Sequence, residues 1–138
     1  MKSVVIDTNV FLVCISHRSI IHKLFLAINA GEIEVCVSNS ILMEYREIIE
    51  RYRGKKYSEE VLELLFDIPN LIFINVSYRW DLIQLDVDDN KFVDCAIAAN
   101  AQYIVTGDRH FNVLKTLDFL NLSVITAYEF QKILTQTF

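Results

Sequence analysis

The chain is 138 residues long, 53% hydrophobic with nine Phe and six Tyr, and carries a formal charge of −5. That apolarity excludes a disordered chain and allows one well-buried core, while three Gly and one Pro are too few for a turn-rich β protein. The acidic balance speaks against gripping nucleic acid by bulk positive charge, though not against an enzyme whose acids are neutralised by bound cations.

Val4-Val5-Ile6 is a short β-branched run, as expected of a strand buried on both faces of a parallel sheet. It ends at Asp7-Thr8-Asn9. Residues 10 to 29 then have helical spacing, with a break expected near 16–19 and Gly31 as a stop. Residues 34–37 predict a second strand. Ser38-Asn39-Ser40 offers caps for a helix over 40–53, whose apolar stripe is Ile41, Leu42, Tyr45, Ile48, Ile49 and Tyr52. Glu44 falls in its first turns. GKKYSEE reads as a solvated turn after Gly54, with a further helix from Ser58 to about Phe66.

Pro69-Asn70 breaks the chain, and 71–76 reads as a third strand. Residues 77–87, with Trp80, Leu82, Ile83 and Leu85, show no clear period. After them DDNKFVDCAIAANAQYIVTGD predicts a helix start, an Ala-rich helix, the strand 103–105 and a turn ending in Asp108. A helix over 110–117, a strand over 123–125 and a last helix from Ala127 complete the order βαβααβαβαβα. Such alternation predicts an α/β fold around a parallel sheet, in a single domain over 1–138.

Three scattered cysteines, Cys14, Cys36 and Cys95, point to free thiols and a reducing cytoplasm rather than a disulfide framework. Cys14-x-x-His17 has a zinc-like spacing that no second pair completes. MKSVVIDTN is too short for a signal-peptide core, and no run approaches the ~18 apolar residues of a membrane span.

Four acids stand at strand ends or in helix first turns: Asp7, Glu44, Asp94 and Asp108. Each alone suits a turn, a cap or a helix dipole. In a parallel sheet, however, the carboxyl ends of central strands lie side by side, and ligands collect there. Two carboxylates ~5 Å apart at an effective dielectric of about 20 repel by about 3 kcal/mol. A cluster therefore either retains protons or binds a cation. Oxygen ligands select Mg²⁺ or Mn²⁺, ions suited to hydrolysing phosphodiesters. Thr8, Asn9 and Thr106 are placed to support the acids, and Lys91 and Arg109 to reach phosphate. With a metal available, no catalytic His is required of His110. Asp86-x-Asp88-Asp89-Asn90 begins like a calcium loop, but Lys91 and Ile97 occupy its Gly and Glu positions. Asp89 or Asn90 is then expected as a helix N-cap.

Taken together, VVIDTNV, SxSILMEY, DDNKFVDCAIAANAQYIVTGDRHF and VITAYEF resemble a PIN domain, most of all the VapC-like toxins of bacterial and archaeal toxin–antitoxin pairs. The resemblance implies a three-layer α/β/α sandwich with a mostly parallel sheet of about five strands. It also implies a Mg²⁺- or Mn²⁺-dependent endoribonuclease, cytoplasmic, often a homodimer held by an antitoxin. On these positions Asp7, Glu44, Asp94 and Asp108 become the metal-binding catalytic acids, with one or two ions, and RNA the substrate. The alternative is a PIN-like scaffold that binds RNA or protein without cutting. A haloacid-dehalogenase-like phosphatase would need a second Asp where Asn9 stands.

Overall fold

The computed structural model describes residues 1–16, 18–117 and 120–136, so His17 of the zinc-like pair lies outside the described residues. Five strands, β1 (Lys2–Ile6), β2 (Ile33–Val37), β3 (Leu71–Phe73), β4 (Tyr103–Val105) and β5 (Ser123–Ile125), form one sheet in the order β3-β2-β1-β4-β5. Every pairing is parallel, with Val4 in register with Val35 on one side and Tyr103 on the other. Helices α1 (Thr8–Cys14), α2 (His22–Asn29), α3 (Asn39–Arg53), α4 (Lys55–Phe66), α5 (Asn90–Ala99) and α6 (Ala127–Gln136) flank it in a three-layer sandwich. No helix among the described residues is long and apolar enough to cross a membrane.

Central β1 explains its own sequence. Val4, Val5 and Ile6 have no exposed surface, because helices cover both faces. The core continues through Val35, Val37, Ile104 and Val105 to Phe11 and Tyr45, whose rings stack 4.4 Å apart. Tyr45 is wholly buried, and its hydroxyl donates to the Ile6 carbonyl at the end of β1. At the opposite edge Gly31 has φ 76, and Asn70 Nδ2 donates to its carbonyl across 2.6 Å.

The expected break near 16–19 separates α1 from α2. Four expectations are corrected. GKKYSEE is no solvated turn: Gly54, at φ 88, reverses the chain in one residue and α4 starts at Lys55. Ser58 lies within that helix, buried, its hydroxyl donating to the Arg46 carbonyl of α3 at 3.0 Å. The third strand stops at Phe73 rather than 76, since β3 is an edge strand with a neighbour on one side only. Residues 109–116 form a 3-10 helix, and Tyr52 of the expected apolar stripe is exposed.

The strand order reverses between β1 and β4. Asp7 follows one of these strands and Thr106-Gly107-Asp108 the other, so the acids stand at the switch point of an open α/β sheet.

Candidate active site

Asp7 leaves β1 with its N–H bonded to the Val105 carbonyl at 3.0 Å, which ties the two strand ends together. It occupies the N-cap position of α1, yet its carboxylate does not cap. Instead Thr106 donates its hydroxyl to Asp7 Oδ2 at 2.7 Å. The same hydroxyl accepts the Asp108 N–H at 3.0 Å, and Asp108 Oδ1 in turn accepts the His110 N–H at 2.9 Å, capping the 3-10 helix. Asp7 is buried, and burial is the main force raising its pKa; the bonds from Thr106 and the Thr8 backbone oppose this, while the charges of Asp108 and Glu44 add to it.

Glu44 is gripped at both oxygens. The Thr8 hydroxyl donates to Oε2, and Lys91 Nζ lies 2.7 Å from Oε1. Lys91, expected to reach for phosphate, is thus paired with an acid, its side chain 22% exposed and that of Glu44 21%.

A further acid joins the group. A 3-10 turn over Val87–Asp89 tucks Asp89 inward, to 8% exposure. Asp89 occupies the expected N-cap position of α5 but its side chain makes no capping bond; Asp86 caps the preceding 3-10 turn, taking the Asp88 N–H at 3.2 Å, and Asp89 faces the site. His110 Nδ1 lies 3.4 Å from both Asp89 Oδ2 and Asp108 Oδ1. Burial first, then the charges of Asp86 and Asp108, push the Asp89 carboxyl up to about 6, against the bond from His110. Asp86, Asp89 and His110 each present a ligand atom, all within 4.8 Å of one another.

Asp94 sits otherwise. Its Oδ1 accepts the Trp80 N–H at 3.1 Å. One turn earlier on α5, the Asn90 amide brackets Ile83, accepting its N–H at 2.9 Å and donating to its carbonyl at 2.8 Å. Both side chains strap the irregular stretch 80–83 to the helix. Burial raises the pKa of Asp94, and the charges acting on it are those of Asp81 and Arg79. It lines a cleft of ≈ 410 Å³ with Ser38, Ser40, Arg79 and Lys91, beside the Asp7 group.

Asp7, Glu44 and Asp108 therefore share one electrostatic neighbourhood, and Asp94 occupies the adjoining cleft. Thr8 and Thr106 each hold an acid. Asn9 is exposed in a hollow with Asp7, Gly107 and Asp108, and Arg109 is exposed on the far side of Asp108. The sequence reading passed over Asp89 as a cap; the signal was the Asp-x-Asp-Asp run directly before the helix.

The chain matches the family model described as PIN domain over residues 3–110. No curated protein matches by sequence. Solved structures similar in fold include VapBC2 from Rickettsia felis bound to a DNA fragment from their promoter, at a TM-score of 0.63 and 18% identity, covering 88% of this chain and 98% of that one. Another is Mycobacterium tuberculosis VapC20, described as a sarcin-ricin loop cleaving toxin, at 0.58 and 14%, covering 80% and 94%. FitAcB from Neisseria gonorrhoeae aligns at 0.56 and 13%, covering 91% and 98%.

Proposed function

The chain belongs to the PIN domain family, and from that premise we propose that it is a Mg²⁺- or Mn²⁺-dependent endoribonuclease, the toxin of a toxin–antitoxin pair. The observation that carries this reading is the convergence on Asp7. Asp108 and Glu44 act on it electrostatically, Asp89 is coupled to Asp108 and Asp7, and Thr106 fixes its rotamer. Carboxylates raised by burial and mutual repulsion gain most from a cation, and oxygen donors select a hard one. The residues that would hold such an ion are Asp86, Asp89 and His110, whose ligand atoms lie within 4.8 Å of one another, with the charges of Asp7 and Asp108 acting on Asp89 beside them.

When bound, a divalent ion supplies positive charge to a phosphodiester and promotes its attack by water. The chain does the rest. Thr106 keeps Asp7 Oδ2 aimed, leaving Oδ1 to the site. The cleft lined by Ser38, Ser40 and Arg79 offers hydroxyls and a guanidinium to an RNA backbone running past the acids. Asp94 enters our reading as the residue that holds the wall of that cleft, through Trp80, rather than as a direct ligand. The toxin role, an antitoxin partner and a homodimer rest on the family and on the likeness to the VapBC2, VapC20 and FitAcB folds.

The test is incubation with single-stranded and structured RNAs in Mn²⁺ and then in chelator. Cleavage should need the ion and vanish in Asp7→Asn. Cleavage that persists in chelator, or that survives Asp7→Asn undiminished, rejects the proposal.

A further inference from the structure

We propose that His110 selects the ion of this site: its ring nitrogen serves as a ligand with Asp86 and Asp89, so the site takes Mn²⁺, a first-row transition ion, in preference to Mg²⁺. This inference rests on the metal-dependent reading above.

The residues converge from two parts of the chain. The 3-10 turn Val87–Asp89 brings in Asp89, with Asp86 as its cap, and His110 opens the second 3-10 helix, just beyond the end of β4. Asp108 Oδ1 accepts the His110 N–H at 2.9 Å, which fixes the backbone from which the ring extends. Its Nδ1 lies 3.4 Å from Asp89 Oδ2 and 3.4 Å from Asp108 Oδ1. A charge-assisted hydrogen bond would draw one of these in to about 2.7–2.9 Å. The nitrogen is committed to neither acid. With bonds of about 2.1 Å, neighbouring ligand atoms of an octahedral ion lie about 3 Å apart and opposite ones about 4.2 Å. The ligand atoms of Asp86, Asp89 and His110, all within 4.8 Å of one another, are already close to that spacing. Asp86 is exposed, so its side chain can supply the remaining movement.

The donor set decides the ion. Mg²⁺ prefers oxygen ligands, demands near-ideal octahedral geometry and dehydrates reluctantly, whereas imidazole suits first-row transition ions. Carboxylates alone would hold either ion; an imidazole nitrogen in place of one oxygen shifts the balance to Mn²⁺. Burial separates the roles. The Asp89 side chain is 12% exposed and that of His110 37%, so Asp89 anchors the ion from inside and His110 meets it from the solvent side. Asp108 is a positioning residue in this arrangement, acting through the His110 backbone.

Electron paramagnetic resonance of Mn²⁺ added to the metal-stripped protein tests this without activity, with Mg²⁺ as competitor. The pulsed spectrum of bound Mn²⁺ should show a nitrogen coupling that changes when the histidines carry ¹⁵N, and displacement should need roughly tenfold or more Mg²⁺ over Mn²⁺. His110→Gln should lose the coupling and bind Mn²⁺ roughly ten- to a hundredfold more weakly, with Mg²⁺ binding changed by less than about threefold. His110→Asp, which restores an oxygen donor, should bind both ions with little preference, so a loss in His110→Gln is not one of folding. Bound Mn²⁺ without nitrogen coupling, Mg²⁺ binding as tight as Mn²⁺, or a coupling and preference that persist in His110→Gln overturns the inference and leaves the nuclease reading standing. A folded wild type that binds neither ion removes the metal-dependent reading and the inference with it.

Discussion

Thr106 and Asp7 stand at the ends of neighbouring parallel strands, and the threonine hydroxyl bridges them, donating to Asp7 Oδ2 at 2.7 Å while accepting the Asp108 N–H at 3.0 Å. One side chain therefore sets the positions of two acids. In Thr106→Val the methyls fill the same space, but a buried carboxylate loses its donor and a backbone N–H its acceptor. We expect about 1–3 kcal/mol less stability and roughly ten- to a hundredfold weaker Mn²⁺ binding. Denaturant unfolding and calorimetry measure the two; an unchanged Mn²⁺ affinity would refute the role.

Asp89 and Asp94 are five residues apart, across the junction of the 3-10 turn and α5, and in different surroundings. Asp94→Asn keeps the oxygen that accepts the Trp80 N–H, so fold and cleavage should change by less than about threefold. Asp89→Asn should cost cleavage at least about a hundredfold, as expected for loss of a metal ligand. Equal losses in the two variants, read as initial rates on one RNA, would restore Asp94 as a ligand.

The acids also set a pH dependence in the metal-free protein. The folded Asp89 carboxyl titrates near 6, above its ordinary 3.8, so the native state holds a proton that the unfolded chain has already released. The stabilisation from this group is then fully present below about pH 4 and is lost as pH rises to about 6, at most about 3 kcal/mol. Asp7, also raised, acts in the same direction. Thermal melts across that window in chelator should show the fall, and Mn²⁺ at pH 7 should reverse it. A flat profile in chelator would count against the coupling of these acids.

Tyr45→Phe removes the hydroxyl that satisfies the Ile6 carbonyl, in a fully buried place. The ring stack on Phe11 is kept. A loss of about 1–2 kcal/mol should follow in urea melts, with Mn²⁺ stoichiometry unchanged. A variant as stable as the wild type would show that the carbonyl finds another donor.

The central strands were legible because a parallel sheet covered on both faces demands continuous apolar runs, and Val4-Val5-Ile6 and Ile104-Val105 are such runs. The start of α4 was hidden because Lys55, Lys56 and Glu59 look like a solvated turn, and only the φ of Gly54 reveals that one residue suffices to reverse the chain. Residues 80–83 have no period because side chains of α5, not a ladder, hold them. Asp7 and Asp108 could be placed from strand ends. The different surroundings of Asp89 and Asp94 follow from the turn at which the chain enters α5, and composition does not carry that.

Those straps have a consequence for motion. Residues 75–84 belong to no regular element, and amides there would ordinarily exchange with solvent almost freely. The N–H groups of Trp80 and Ile83 are instead bonded to Asp94 and Asn90. These two amides form a slow-exchanging pair within a fast-exchanging stretch. Their protection reports opening of the cleft wall separately from unfolding of the sheet.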